Sequence, residues 1–424
     1  MSEKVISNWK QGSAPIVYGA YVCYIVYLNL RVINWISPVS KTIEIGILLA
    51  AGILAAAYFD LFCLRTFRSV PVKIVCLSAS VLFLAVWATH GEYPATFWLP
   101  AALILMTAGK SFQRIAFRSF CAHCGVFICA MLGYACHLTL ETVNTDPIKQ
   151  TITGVGRSLG FVHPNSLALY VFLICLLGWY LWLKKRPGIT FLYFWGIAVP
   201  VYYITRSRTA LMGYALFPLM SLAGYLVSEK PPAYQKGAGR PAMQTIKTVL
   251  TAGIPFELFG ITLLLSFNWK ILWSVFHGTV MWNMASRFVQ GGIAISQYGI
   301  RLTGSDIDLS GKVYLRIDEI KVKLYNLDNA YLGTLMEKGL LYLCALLLIL
   351  TLVLLKCIRE QNAPLLCVII ILLLLAMMET YPLKPFYNLA YFYLLADPGP
   401  EQVGRGQLVT VHRPANSALS LQAH

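Results

Sequence analysis

The stretch RLTGSDIDLSGKVYLRIDEIKVKLYNLDNAYLGTLMEKG, residues 301–339, closes a polar segment that begins at Trp269 and lies between two apolar runs. Each of those runs is long enough to cross a bilayer. The segment gathers Arg287, Arg301, Asp306, Asp308, Lys312, Arg316, Asp318, Glu319, Lys321, Lys323, Asp328 and Glu337, a charge density found nowhere else in the chain. A structureless loop of this length is rare inside a compact protein unless it is functional or disordered. Trp273, Phe276, Trp282, Phe288, Tyr298, Tyr314 and Tyr325 argue against disorder, because disordered segments are poor in aromatics. The segment therefore reads as a folded chamber on one face of a membrane, with its loop at 269–338.

The rest of the chain agrees with that reading. Of the 424 residues, 58% are apolar and 12% charged, with mean hydropathy +0.66; a soluble domain is nearer half apolar and a quarter charged. The class is an all-α polytopic membrane protein. Its formal charge of +16 is not a nucleic-acid signature, because the basic residues recur in short clusters between apolar runs, where they set topology. The scattered cysteines imply no disulfide framework. The polar N-terminus carries no signal-peptide pattern, so the first span is expected to stay as an anchor.

About twelve spans are expected, at 15–36, 43–64, 70–89, 93–109, 115–138, 164–183, 188–205, 209–227, 248–268, 339–356, 362–380 and a short one at 383–396. Pro100 and Pro200 fall inside two of them and are places for kinks. With the N-terminus in the cytoplasm, the short inside loops collect nineteen Lys and Arg against seven in the short outside loops. Both termini are then cytoplasmic and the chamber faces outward. Residues 1–396 form one integral membrane domain, 228–247 is a flexible basic cytoplasmic linker, and 397–424 is a disordered cytoplasmic tail.

Two outside arginines break the charge rule. In Thr205-Arg206-Ser207-Arg208-Thr209 they form a tight basic turn between spans. A single such arginine would be a snorkelling helix end, but two around a serine read as an anion clamp, since guanidinium forks match phosphate oxygens bidentately. Ser207 and Thr209 can add hydrogen bonds. Arg287, ahead of Gly291-Gly292, can converge on the same anion; a solvated loop arginine is the competing reading. A second wall is Gly160-Phe161-Val162-His163-Pro164-Asn165, where Pro at the first helical position marks a helix start and His163 either caps it or points into the site. A third is Leu327-Asp328-Asn329-Ala330-Tyr331-Leu332, with Asp328 as expected N-cap and, along one face, Tyr331, Leu332 and Leu335. Glu337 lies on another face of that helix; carboxylates so near lipid usually meet a cavity or partner.

These three motifs, in this order and topology, resemble the integral-membrane superfamily of O-antigen ligases and O-antigen or capsular repeat-unit polymerases. The similarity runs over roughly residues 155 to 345: Phe161-Val162-His163-Pro164-Asn165 entering a span, Ser207-Arg208-Thr209-Ala210-Leu211 opening another, and an outer loop from Ser286-Arg287 through Leu302-Thr303-Gly304 to Asp328-Asn329-Ala330-Tyr331-Leu332. The ligases place a histidine where this chain has Asp328, so the polymerase branch fits better. The resemblance implies a GT-C-like membrane glycosyltransferase of the bacterial cytoplasmic membrane that polymerises polyprenyl-diphosphate-linked oligosaccharide units, by metal-independent inverting transfer, into a surface polysaccharide. No cofactor is implied. The implied partners are the lipid-linked oligosaccharide, the bilayer, and a flippase and chain-length regulator of the same pathway. Asp328 first and His163 second are the expected bases; Arg206, Arg208 and Arg287 the diphosphate ligands; Ser207, Thr209, Asn165, Asn329 and Glu337 the supporting residues.

Two alternatives stay open. One is a ligase acting on another acceptor; the other is a lipid-linked oligosaccharide flippase or transporter, for which Asp60, Glu257 and Glu379 would be the intramembrane carboxylates. Cys121-Ala122-His123-Cys124 has metal-like spacing but lies in an apolar helix, where Cys and His are more often packing residues.

Overall fold

The computed structural model describes residues 14–30, 32–35, 103–143, 155–228, 240–277, 279, 281–305, 307, 314–317, 320–323, 327–385 and 387–397. Within them the chain is mostly helical: α1 (Ala14–Leu30), α2 (Phe112–Ala135), α3 (Pro164–Gly178), α4 (Pro187–Thr205), α5 (Arg208–Ser228), α6 (Arg240–Phe267), α7 (Trp269–Phe276), α8 (Trp282–Tyr298), α9 (Ala330–Lys338), α10 (Leu340–Arg359), α11 (Ala363–Ala376) and α12 (Ala390–Tyr393). A two-stranded antiparallel hairpin joins β1 (Tyr314–Ile317) to β2 (Ile320–Lys323), with Tyr314 opposite Lys323 and Ile317 opposite Ile320. Five helical stretches are long and apolar enough to cross a membrane: Phe112–Ala135, Pro164–Leu183, Gly188–Thr205, Thr248–Phe267 and Leu340–Arg359. The protein is a helical membrane protein. The spans expected at 43–64 and 70–89, the first part of 93–109 with Pro100, and all but the first residue of the tail 397–424 lie outside the described residues.

Local chemistry explains the helix ends. His163 caps α3, with Pro164 in its first turn, and Asn362 caps α11 through a bond from the Leu365 amide to its side-chain oxygen at 3.3 Å. α3 is the buried axis of the bundle, touching α2, α4 and α5. It ends in a π turn, Trp179–Leu183, where the Trp179 indole donates to Thr190 Oγ1 at 2.9 Å and so fixes α4. α4 runs through Pro200 to its end at Thr205. α9 stops at Gly339, whose φ of +90° lets the chain turn straight into α10. There the segment of residues 301–305 joins the junction through bonds from Leu340 N to Arg301 O at 3.0 Å and from Ser305 N to Met336 O at 2.8 Å.

Three expectations change. The first span is shorter than 15–36: α1 ends at Leu30 and the chain continues as a loop whose Asn34 amide donates to Gly160 O at 2.8 Å, tying it to the approach to α3. The segment expected as a linker to 247 is already helical from Arg240. The last stretch, expected as a span at 383–396, is not a continuous helix. Its Tyr381 end meets Ser166 in the first turn of α3, and its Tyr393 end meets Asn362 and, through it, Tyr180 beyond the last turn of α3. It therefore runs the length of α3 with only the four-residue α12 in it, and Tyr387 to Tyr393 are buried. Irregular backbone at membrane depth is tolerated only where protein surrounds it. Lys356 supplies part of that surround, its ammonium donating to the carbonyls of Tyr393, Leu394 and Ala396.

Candidate functional site

The chain alternates direction, so the start of α3, the α4–α5 turn, the α9 start and the end of α11 all come to one end of the bundle. α8 is laid across this end. Gly291 and Gly292 allow it: a Cβ at Gly291 would fall 2.2 Å from Leu332 Cδ1, and one at Gly292 would fall 2.1 Å from Ser266 O. One turn earlier on α8 stands Arg287.

Arg287 is 5% exposed and faces inward. Its Nη2 donates to Thr209 Oγ1 at 3.5 Å and reaches Glu379 Oε1 at 3.5 Å, an ion pair whose side chains are 6% and 8% exposed. The same Glu379 oxygen accepts from Asn165 Nδ2 at 3.4 Å, and the Asn165 amide donates to His163 Nδ1 at 3.1 Å. His163, Asn165, Glu379, Arg287 and Thr209 thus form one connected polar cluster drawn from α3, α5, α8 and the end of α11. Four elements of the fold bring these side chains together, with His163 and Asn165 both from the start of α3.

The ring of His163 is exposed and serves as the cap of α3. A neutral imidazole that accepts at Nδ1 carries its proton on Nε2, so in this arrangement the Nδ1 lone pair of His163 is taken by the Asn165 amide. Asp328 does not cap α9. Asn329 does, accepting from the Leu332 amide at 3.1 Å while its Nδ2 donates to Met377 O at 2.7 Å, and it is fully buried. The physical reason is that the amide side chain both accepts and donates, which a carboxylate cannot do between two backbones. Asp328 is thereby left exposed, while Tyr331, Leu332 and Leu335 are buried. Glu337 is exposed at the far end of α9 and is not brought to the cluster.

Arg206 sits at the α4–α5 turn with φ +54°, a left-handed conformation unusual for a residue with a Cβ. Its guanidinium lies over the rings of Tyr203, 4.8 Å from the centroid, and Tyr202, at 5.9 Å, so it turns toward α4. Ser207 and Thr209 are buried and Arg208 half-buried; the Ser207 hydroxyl accepts from the Ala210 amide at 3.4 Å and so caps α5. The expected pair of clamping arginines is thus divided: Arg208 opens α5 beside Thr209, while Arg206 stacks on tyrosines.

Sequence reasoning did not place three groups here: Glu379, Tyr381 and Lys384. Glu379 was named only as an intramembrane carboxylate of the transporter alternative. Tyr381 stacks on Tyr387 at 5.3 Å, and its hydroxyl accepts from Ser166 at 3.5 Å. Burial pushes the Tyr381 phenol up; the Ser166 bond opposes this, and the Glu379 and Asp328 carboxylates push it further up, placing both acids in the field of one ring. Lys384 lies over the same ring at 5.0 Å.

Comparison with family models, with curated proteins and with solved structures was made on the whole chain. None matches. The nearby Cys121 to Cys124 motif resolves as packing: His123 is buried, with Nδ1 3.2 Å from Asn29 Nδ2 and 3.1 Å from Tyr170 Oη.

Proposed function

We propose that this protein is a metal-independent membrane glycosyltransferase that polymerises polyprenyl-diphosphate-linked oligosaccharide units at the outer face of a bacterial cytoplasmic membrane. The observation that carries the reading is the meeting of Arg287 and Asn165 on Glu379, with Thr209 bonded to Arg287 and Arg208 next to Thr209 in the chain, at one end of an apolar helical bundle. The opposite end carries Lys184, Lys185, Arg186, Lys356 and Arg359, which by the positive-inside rule is the cytoplasmic one.

In the proposed reaction an acceptor sugar hydroxyl attacks the anomeric carbon of the donor glycan. The new C–O bond forms as the bond to the diphosphate oxygen breaks, the diphosphate departs with the electron pair, and the hydroxyl proton passes to a base. Arg208 and Arg287 meet the negative charge growing on the leaving group, the role that fixed cations play most effectively in a water-poor site. Glu379 holds Arg287 in place before the donor arrives. Asp328, exposed and within the field of Tyr381, is the base; His163 donates a hydrogen bond and orients. Tyr381, partly exposed and backed by the buried Tyr387, offers an aromatic edge for a sugar face.

A second reading rests on the same ion pair. Buried Arg–Glu pairs inside helical bundles are a feature of transport pathways, which supports a flippase for the same lipid-linked substrate. Reconstitution in vesicles with a purified polyprenyl-diphosphate oligosaccharide separates the two. Growth of a ladder of products with release of polyprenyl diphosphate is expected; inward-to-outward movement of unchanged substrate would replace polymerase by flippase, and single transfer to another acceptor by ligase.

A further inference from the structure

At the end of the bundle opposite the Glu379 cluster, the first turns of α2 pack beside α1 and the π turn after α3, and between them is a cavity of about 660 Å³. Its walls are of two kinds. Arg114 and Arg118, one helical turn apart on α2, both line it, with Ser111 at the helix N-cap. Phe117 of the same helix lines it too, with Trp182 and Tyr18 from the neighbouring elements; Trp182 is 54% exposed and Phe117 47% exposed. The Trp182 ring stands edge-on to Phe120 at 4.8 Å and to Phe117 at 6.4 Å, and Arg118 lies over the Tyr18 ring at 5.8 Å. No carboxylate lines the cavity among the described residues.

We propose that this cavity binds the headgroup of an anionic phospholipid, with the phosphate between Arg114 and Arg118 and the upper acyl chain along Phe117 and Trp182. Two guanidinium groups on adjacent turns with no facing carboxylate select a negative ligand. An exposed indole beside an apolar ring, at the end of membrane-length helices, is the signature of the headgroup level of a bilayer. The same end carries Lys184, Lys185 and Arg186, which the anionic leaflet attracts without shaping a site. The volume lies within the range that encloses a compact organic ligand. The proposal depends on the membrane character of the protein and not on which reaction the opposite end performs.

The test uses full-length protein in vesicles containing phosphatidylglycerol or phosphatidylcholine with brominated acyl chains, which quench nearby indoles. The chain has ten tryptophans, so the Trp182 signal is read as the difference between wild type and Trp182→Phe. Phosphatidylglycerol should quench that component at lower mole fraction than phosphatidylcholine. Each arginine gives up its charge-assisted bonds to the phosphate, so Arg114→Gln with Arg118→Gln should weaken the preference by at least about tenfold. Lys184→Gln with Lys185→Gln, which alters the same charge outside the cavity, should leave it in place. Equal quenching by both lipids, an unaffected Arg114/Arg118 double variant, or an equal loss in the lysine variant would overturn the site. Millimolar inorganic phosphate should leave the preference unchanged; displacement of the lipid by it would reassign the cavity to free phosphate.

Discussion

Glu379→Gln is the substitution that bears most directly on the site. It keeps the shape of the side chain and its ability to accept from Asn165, and it removes only the charge facing Arg287. At the observed 3.5 Å, and with the effective dielectric of about 20 that suits protein sites, the attraction lost is about 5 kcal/mol. Leaving a buried cation without its counter-charge costs about 3–5 kcal/mol by a separate route, from mutational data. The two agree, and both are large beside a total stability of about 5–15 kcal/mol. Removing the cation as well, in Arg287→Gln/Glu379→Gln, should restore at least about 2 kcal/mol, because no buried charge is then left alone. The measurement is equilibrium unfolding in mixed micelles at rising SDS fraction, for wild type, both single variants and the double. If Glu379→Gln unfolds at the wild-type SDS fraction, or the double variant is no more stable than the singles, the pair is not the buried tie described here.

Arg208→Lys keeps the charge and loses the planar fork, so reconstituted polymer synthesis should fall by about tenfold to a hundredfold while the protein still inserts; unchanged product length and yield would remove Arg208 from the diphosphate site. Asp328→Asn should lower turnover by about 10²- to 10⁴-fold with little change in stability, since Asn329 and not Asp328 caps α9. His163→Ala should cost about 1 kcal/mol of stability through the lost cap and a smaller part of turnover; full activity in Asp328→Asn with its loss in His163→Ala would transfer the role of base to His163. Gly292→Ala puts a methyl against the Ser266 carbonyl, which cannot rotate away, and should destabilise the protein by about 1–3 kcal/mol in the same unfolding assay; a neutral result would show that α8 is not pressed on α6 at that point.

How much of this was legible in the sequence depended on whether the signal was local. The helix start at Pro164 was readable, because a fixed φ and a missing N–H act within one turn. The apolar runs at 188–205 and 209–227 became α4 and α5 almost residue for residue. The Asp328 cap was misread by one position, because the choice between Asp328 and Asn329 rests on the Met377 carbonyl, far along the chain. Glu379 was seen as an isolated acid because its partner Arg287 is 92 residues earlier. No periodicity links two residues across that distance. The final stretch was read as a span from hydropathy, which reports apolarity but cannot separate a lipid-facing helix from a chain enclosed by other helices.

That enclosed final stretch has a consequence for biogenesis. Irregular backbone is costly to expose to lipid, so this stretch can settle at membrane depth only once the helices around it, α3 among them, have made a slot to receive it. The Lys356 ammonium and the bond from the Asp397 amide to Lys110 O then act as a closing latch at the end of the bundle opposite the Glu379 cluster. Assembly of this bundle is accordingly ordered, with the stretch that follows α11 seated late as the keystone, and loss of that stretch would leave a groove beside α3 in an otherwise inserted protein.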